Sequence, residues 1–169
     1  MDINNIDAVS FVGALDASLR ILTERCSGAE GALSYEDVEK EFFAEIQRRA
    51  DAVVEKYRHV EILPGPFVSV ISTGCIKNAR DISKGGKYNN FGVHGTGIAV
   101  AVDSLASVRE LVFEKHLVTL SELVKLLDTD FSGRADILAA AKEAPKMGNA
   151  DPNADEIATR LLCFWGHAF

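Results

Sequence analysis

Cysteine, proline and unbroken apolar sequence are all scarce in this 169-residue chain, and each scarcity excludes something. The three cysteines, Cys26, Cys75 and Cys163, are odd in number and far apart. They form no C-x-x-C pair and no disulfide framework, which fits a reducing, cytosolic compartment. No stretch reaches the roughly 20 apolar residues that a membrane-spanning helix needs. No Lys or Arg precedes Arg20, whereas Asp2 and Asp7 do, so the N-terminus has the wrong charge for a secretory signal. Among His59, His94, His116 and His167 there is no H-x-x-x-H pair, so no zinc or iron–sulfur site is expected. Basic charge is also short. Eighteen Lys and Arg against 25 Asp and Glu leave a net charge of -7, which repels phosphate and argues against nucleic-acid partners.

What is present is the mix of a globular chain, 47% hydrophobic and 25% charged, long enough to bury a core. A helical pattern runs from about Ile3 to Glu24, with Val12, Leu15, Leu19 and Leu22 on one face. Ser34-Tyr35-Glu36-Asp37 reads as a capping box opening a long helix that carries Val38, Phe42, Ile46, Val53 and Tyr57. Pro64-Gly65-Pro66 breaks the chain. Phe67 to Ile71 is β-branched and apolar, a strand by propensity alone. The Gly-rich stretch Gly85 to Gly97 cannot be helical, and Tyr88 to Gly95 suits an extended strand or a tight loop. Helical spacing returns over Ile98–Lys115, then from Thr119-Leu120-Ser121-Glu122 through Leu127, over Ala135–Glu143, and from Ala154 to about Phe164. Apolar Leu162-Cys163-Phe164-Trp165 near the end is the kind of terminus a piece of a larger protein would leave.

Two motifs invite ligand readings and weaken on inspection. Gly86-Lys87 is followed by Tyr88 and preceded five residues earlier by Asp81, so there is no phosphate loop. Gly95-Thr96-Gly97 has Val100 where a dinucleotide motif needs a third glycine. Asp128, Asp130, Ser132, Gly133 and Asp136 occupy positions 1, 3, 5, 6 and 9 of a calcium loop, but position 12 is Ala139 rather than a bidentate Glu. A small-molecule or calcium-binding module therefore stays as an alternative, beside a plain helix–turn–helix cornered by Gly133. Cys75, in Thr73-Gly74-Cys75-Ile76, reads as a buried, inert core thiol.

The text from Pro66 to Leu105, P-F-V-S-V-I-S-T-G-C-I-K-N-A-R-D-I-S-K-G-G-K-Y-N-N-F-G-V-H-G-T-G-I-A-V-A-V-D-S-L, resembles the pyruvate formate-lyase-like glycyl radical enzymes. That family carries a helix ending in D-I, then G-G-A-K-Y-N, a glycine pattern and D-S-L-A. Val112-Phe113-Glu114 stands at the expected distance beyond it, Pro145-Lys146-Met147-Gly148-Asn149 resembles P-K-[FY]-G-N-D, and Asp155-Glu156-Ile157 matches the next helix. The likeness is best over 33–162 and places the whole of 1–169 within a partial domain of the family. One departure stands inside the motif: Gly85-Gly86 runs directly into Lys87 without the usual alanine, which would shift the register of the residues after it.

The resemblance implies an α/β, predominantly helical chain, a segment of the ten-stranded glycyl radical barrel with its outer helices. It makes Pro66 to about Arg80 a helix rather than a strand. In the family, an activating enzyme using S-adenosylmethionine and an iron–sulfur cluster places a radical on a C-terminal glycine. The radical passes to a cysteine whose thiyl starts C–C, C–O, C–N or C–S cleavage, as in formate acetyltransferase-like lyases and dehydratases. The thiyl motif G-C-[VI]-E and the glycyl motif R-V-[SA]-G-[YF] are both absent from these 169 residues. Cys75 matches a different cysteine. No catalytic, cofactor-binding or metal-binding residue is carried over. Gly85, Gly86, Gly92, Gly95 and Gly97 are expected to let the chain pass close beneath the active-site loops. The partners implied are the remaining segments of the parent enzyme, its activating enzyme and a second copy in a homodimer, with no membrane. Alone, the chain is expected to be inactive and to expose apolar patches meant to be covered. A non-catalytic subunit of a split enzyme is the alternative.

Overall fold

The structure is a computed structural model that describes residues 4–26, 33–59, 61–85 and 91–169, with the backbone only at 4, 5, 85 and 91. It is mostly helical, with one two-stranded sheet. Strand β1 (Asn4–Ser10) leads into α1 (Phe11–Arg25) and α2 (Tyr35–Tyr57). Three short helices come next, α3 (Pro66–Ile71), α4 (Thr73–Asn78) and α5 (Ile82–Gly85), before β2 (Phe91–Thr96), which pairs with β1. Then come α6 (Ile98–Val108), a π-helical turn at Arg109–Glu114, α7 (Leu120–Asp128), α8 (Ala135–Glu143) and α9 (Pro152–Trp165).

The first expected helix is corrected at its start, because residues 4–10 form β1. Asn4, Asn5 and Asp7 are poor helix formers. Ser10 then takes extended backbone and its hydroxyl accepts from the Gly13 amide at 3.1 Å, fixing where α1 begins. The buried face is Phe11, Ala14, Leu15, Ser18, Leu19 and Leu22, while Val12 points outward. Ser18 sits in this core by donating to the Ala14 carbonyl at 2.7 Å, which removes the cost of an unpaired hydroxyl.

Capping explains the other boundaries. The Asp37 carboxylate accepts from the Ser34 amide at 2.9 Å, and the Ser34 hydroxyl accepts from the Asp37 amide at 3.3 Å. Thr119 and Glu122 form the same reciprocal pair, with amide contacts of 2.8 and 3.2 Å. At α9, Asp151 accepts from the Asn153 amide and Pro152 takes the first helical turn, where its missing N–H costs nothing. Pro66–Ile71 is helical and not a strand, but the expected single helix is broken at Ser72, whose backbone is extended. The helix expected over Ile98–Lys115 is α-helical only to Val108. Beyond it the Lys115 amide bonds the Glu110 carbonyl at 2.8 Å, and the wider turn keeps Leu111 and Val112 both buried.

The chain divides into two compact units, Met1–Ala8 with Ala52–His94, and Val9–Asp51 with Gly95–Phe169. In the second, α6 is the central rod. Ala101, Val102, Leu105 and Ala106 are buried, and the helix packs against α1, α8 and α9. Alanines on α6 and α9 permit the close approach, while Phe11, Phe42, Leu111, Ile157 and Leu161 fill the volume around them. Arg25 and Arg48 converge on the buried Glu41, with contacts of 2.7 and 2.8 Å, and Arg49 reaches both Glu45 and the Gly13 carbonyl. Burial pushes the Glu41 carboxyl up, but the Arg48 and Arg25 guanidiniums outweigh it and hold the group below its ordinary range.

In the first unit, the end of α2 clamps β1: the Tyr57 hydroxyl donates to the Ile6 carbonyl at 2.9 Å and Lys56 pairs with Asp7 at 2.9 Å. The short helices of this unit bury only Ser69 and Cys75 among their described side chains. Among the described residues no helix is long and apolar enough to cross a membrane.

Candidate functional site

The glycines singled out in the sequence meet their clearest structural reason at the junction between β2 and α6. Gly95 lies over the Phe11 ring, and a Cβ there would stand 2.1 Å from Phe11 Cζ, an impossible contact. Gly97 has φ +75, in the left-handed region, and a Cβ would come within 2.8 Å of Val12 Cγ2. The Phe11 ring is held from another side by Trp165, edge-on at 5.2 Å, so it cannot step aside freely. Between the two glycines the Thr96 hydroxyl reaches the Val9 carbonyl at 3.4 Å. This is a backbone passing across an aromatic face. Gly85 closes α5 and Gly92 lies within β2. Gly86 and the Gly86-Lys87-Tyr88 stretch without the family's alanine fall outside the described residues.

A second polar centre gathers around Asp81 in the first unit. Its carboxylate accepts from the amides of Gly65 (3.1 and 3.2 Å) and Ser83 (2.9 Å) and lies 2.7 Å from the Ser69 hydroxyl. Ser69 in turn accepts from the Ile82 amide at 2.8 Å. The Ser83 amide and the Ser69 hydroxyl, with help from Gly65, hold the Asp81 carboxyl well below the usual carboxylate range. An ionised carboxylate surrounded by donors on one loop closes the Gly65–Ser83 segment like a clasp. Both oxygens are engaged with their own chain, so Asp81 is a structural anchor and not an acid or base awaiting a substrate.

A hollow of about 500 Å3 lies between α1, α6, α7 and α8. Its walls are mostly apolar, and most of the charged groups on it are already engaged. Arg20 binds Asp16 and Asp128, Asp103 accepts from the Met147 amide, and Lys146 donates to the Ala141 and Ala144 carbonyls. Nothing there resembles a nucleophile beside a base. Elsewhere in the second unit Arg160 links Glu39 and Glu156, and the Arg109 guanidinium stacks 5.5 Å from the Tyr35 ring centroid. Burial, reinforced by Glu39, pushes the Tyr35 hydroxyl far up, so it stays protonated.

The calcium-loop residues do not converge. Asp128 is turned to Arg20 at 2.7 Å and Asp136 to Arg134 at 3.0 Å, while Asp130 and Phe131 take left-handed backbone. Among the described residues no cluster of three or more His, Cys, Asp or Glu is placed to hold a metal ion. The three cysteines are free thiols, Cys26 half-buried, Cys75 buried on α4 and Cys163 exposed on α9.

Comparison with known proteins identifies the family. The family model "Pyruvate formate lyase-like" matches residues 21–165. The chain is 34% identical over 136 residues to a trans-4-hydroxy-L-proline dehydratase of Clostridioides difficile, covering 76% of this chain and 17% of that protein. It is 36% identical over 101 residues to an isethionate sulfite-lyase of Bilophila wadsworthia, covering 57% and 12%. Among solved structures, the glycerol-bound B12-independent glycerol dehydratase of Clostridium butyricum superimposes with a TM-score of 0.77 at 25% identity, over 95% of this chain and 22% of that one. The substrate-bound hydroxyproline dehydratase of Clostridioides difficile gives a TM-score of 0.71 at 24% identity, over 97% and 23%. The chain thus spans less than a quarter of the length of these relatives. It has the fold of a segment of a glycyl radical enzyme barrel with its helices, and it belongs to the pyruvate formate lyase-like family of glycyl radical enzymes.

Proposed function

We propose that this chain serves as one structural portion of a glycyl radical lyase or dehydratase and carries out no chemistry alone. The observation that carries this reading is the pairing of near-complete structural agreement with a small share of the relatives' length. Neither G-C-[VI]-E nor R-V-[SA]-G-[YF] occurs in the 169 residues, so the groups that carry the radical in the family have no counterpart here. The parent would cleave C–C, C–O, C–N or C–S bonds, as formate acetyltransferase-like enzymes do, after radical installation by an S-adenosylmethionine- and iron–sulfur-dependent activating enzyme. Such chemistry belongs in an anaerobic cytoplasm.

The role of this portion is to position. A barrel holds reacting groups together and keeps water out, which contributes through orientation and exclusion of side reactions. The Gly95–Phe11 contact and the Asp81 clasp suit that role, since each fixes a backbone path without offering a reactive group. We place the glycine passage close beneath the active-site loops of the assembled parent. Its partners are the remaining segments of the barrel and a second assembled copy; a split enzyme is the alternative arrangement.

The purified chain is to be incubated with a glycyl radical activating enzyme, S-adenosylmethionine and reductant, and then with trans-4-hydroxy-L-proline, glycerol or isethionate. Neither turnover nor a glycyl radical signal in electron paramagnetic resonance is expected. Turnover by the chain alone would overturn the proposal. Co-purification with polypeptides bearing the thiyl and glycyl motifs marks the split-enzyme form.

A further inference from the structure

Helix α3 is packed inside out. Its buried side chain is Ser69, a polar residue, while Phe67, Val70 and Ile71 lie 81%, 67% and 71% exposed. Positions i, i+3 and i+4 share one helical face, so these three form a single apolar stripe opposite Ser69. Leu63, 85% exposed just before the helix, and Ile76, 63% exposed on α4, are further exposed apolar side chains of the same unit. From Ile62 to Ile76 the sequence contains no Asp, Glu, Lys, Arg or His. A helix that faces water carries the opposite pattern.

The polar side is pinned: Ser69 lies 2.8 Å from the Gly65 carbonyl and 2.7 Å from Asp81, and Asp81 also ties down Gly65 and Ser83. The hydrogen-bonded side is satisfied internally, so the stripe is left for an outside surface. Large apolar side chains gathered exposed on one helix face mark a surface that something covers.

We infer that the Leu63–Ile76 face is the seat on which the remainder of a glycyl radical barrel packs, an inference that rests on the proposed parent enzyme. Two observations select this occupant. The face is charge-free, so it recognises another apolar protein surface by shape and excludes an acidic peptide or nucleic acid. In the structural relatives, at least three quarters of the chain lies beyond the segment this protein matches, so the bulk of the barrel is available to cover it.

The test replaces the matching segment of the Clostridioides difficile trans-4-hydroxy-L-proline dehydratase by this chain, with and without the pair Phe67→Gln and Ile71→Gln. Soluble yield and the thermal transition are measured, and the isolated chain is compared with and without the same pair. The expected result is a soluble wild-type chimera, a several-fold loss of soluble chimera in the double variant, and an unchanged transition in the isolated chain. A chimera that tolerates both glutamines overturns the seat while leaving the parent reading intact. A wild-type chimera that never folds overturns the parent reading, and the seat with it. If the chimera is indifferent but the isolated chain forms a discrete dimer that the two glutamines abolish, the face belongs to a second copy and the inference fails.

Discussion

At Gly95 the absence of one carbon decides whether a strand can cross an aromatic ring. Gly95→Ala would drive a methyl into Phe11, which Trp165 holds in place, so the cost of overpacking, about 1–3 kcal/mol, is expected in urea unfolding. Shrinking the ring in the pair Gly95→Ala with Phe11→Leu should recover part of that loss, because the two sites share one contact. Gly133→Ala is the control. Gly133 has φ +76 but open space around it, so only the left-handed strain of about 1–2 kcal/mol applies and no partner substitution should relieve it. Asp81 acts through charge instead. Its folded-state pKa is depressed, so its contribution is complete above the unfolded carboxylate value of about 4 and is lost as pH falls through the more acidic folded value. The stability advantage of wild type over Asp81→Asn should therefore be present at pH 7 and shrink as the solution is acidified below about pH 4, measured by urea titration at each pH.

Among the elements, helix ends are where single hydrogen bonds weigh most. Thr119→Ala removes the hydroxyl that accepts from the Glu122 amide and should cost about 1 kcal/mol, readable as a shift of the urea midpoint without a change in slope. The α7–α8 corner separates local pattern from site. Its acidic spacing mimics a calcium loop, yet Asp128 is committed to Arg20 across to α1 and Asp136 to Arg134. Calorimetric titration with calcium should give no binding heat, and a saturable heat would restore the ion-binding reading. The short helices α3 and α4 bury little, whereas α6 buries Ala101, Val102, Leu105, Ala106 and Val108. Amides of 101–106 should exchange with deuterium far more slowly than those of 67–76, because local opening is least costly where few apolar contacts are lost.

On the scale of the whole molecule, much of the helical order was legible because its punctuation is local. Ser34 with Asp37, Thr119 with Glu122, and the Gly133 corner act within four residues or on one residue's own backbone. The family was legible for a related reason, since D-I, G-G-K-Y-N, D-S-L and P-K-M-G-N stand in order at matching intervals. The misread elements are those where distant groups outvote local preference. Residues 4–10 became β1 through pairing with β2, some 80 positions away, helped by Tyr57 and Lys56 of α2. Val12 had helical spacing but the wrong side of α1, because Phe11 is the residue drawn under Gly95. By itself, then, the sequence determined family membership and most helix boundaries, both of which depend on residue identity and near-neighbour bonding. Only the tertiary structure decided which glycine meets which ring, that Asp81 is committed to its own backbone, and that α3 turns Ser69 inward and Phe67 outward. Those outcomes depend on which surfaces remain after distant segments have packed, and no local periodicity encodes that remainder.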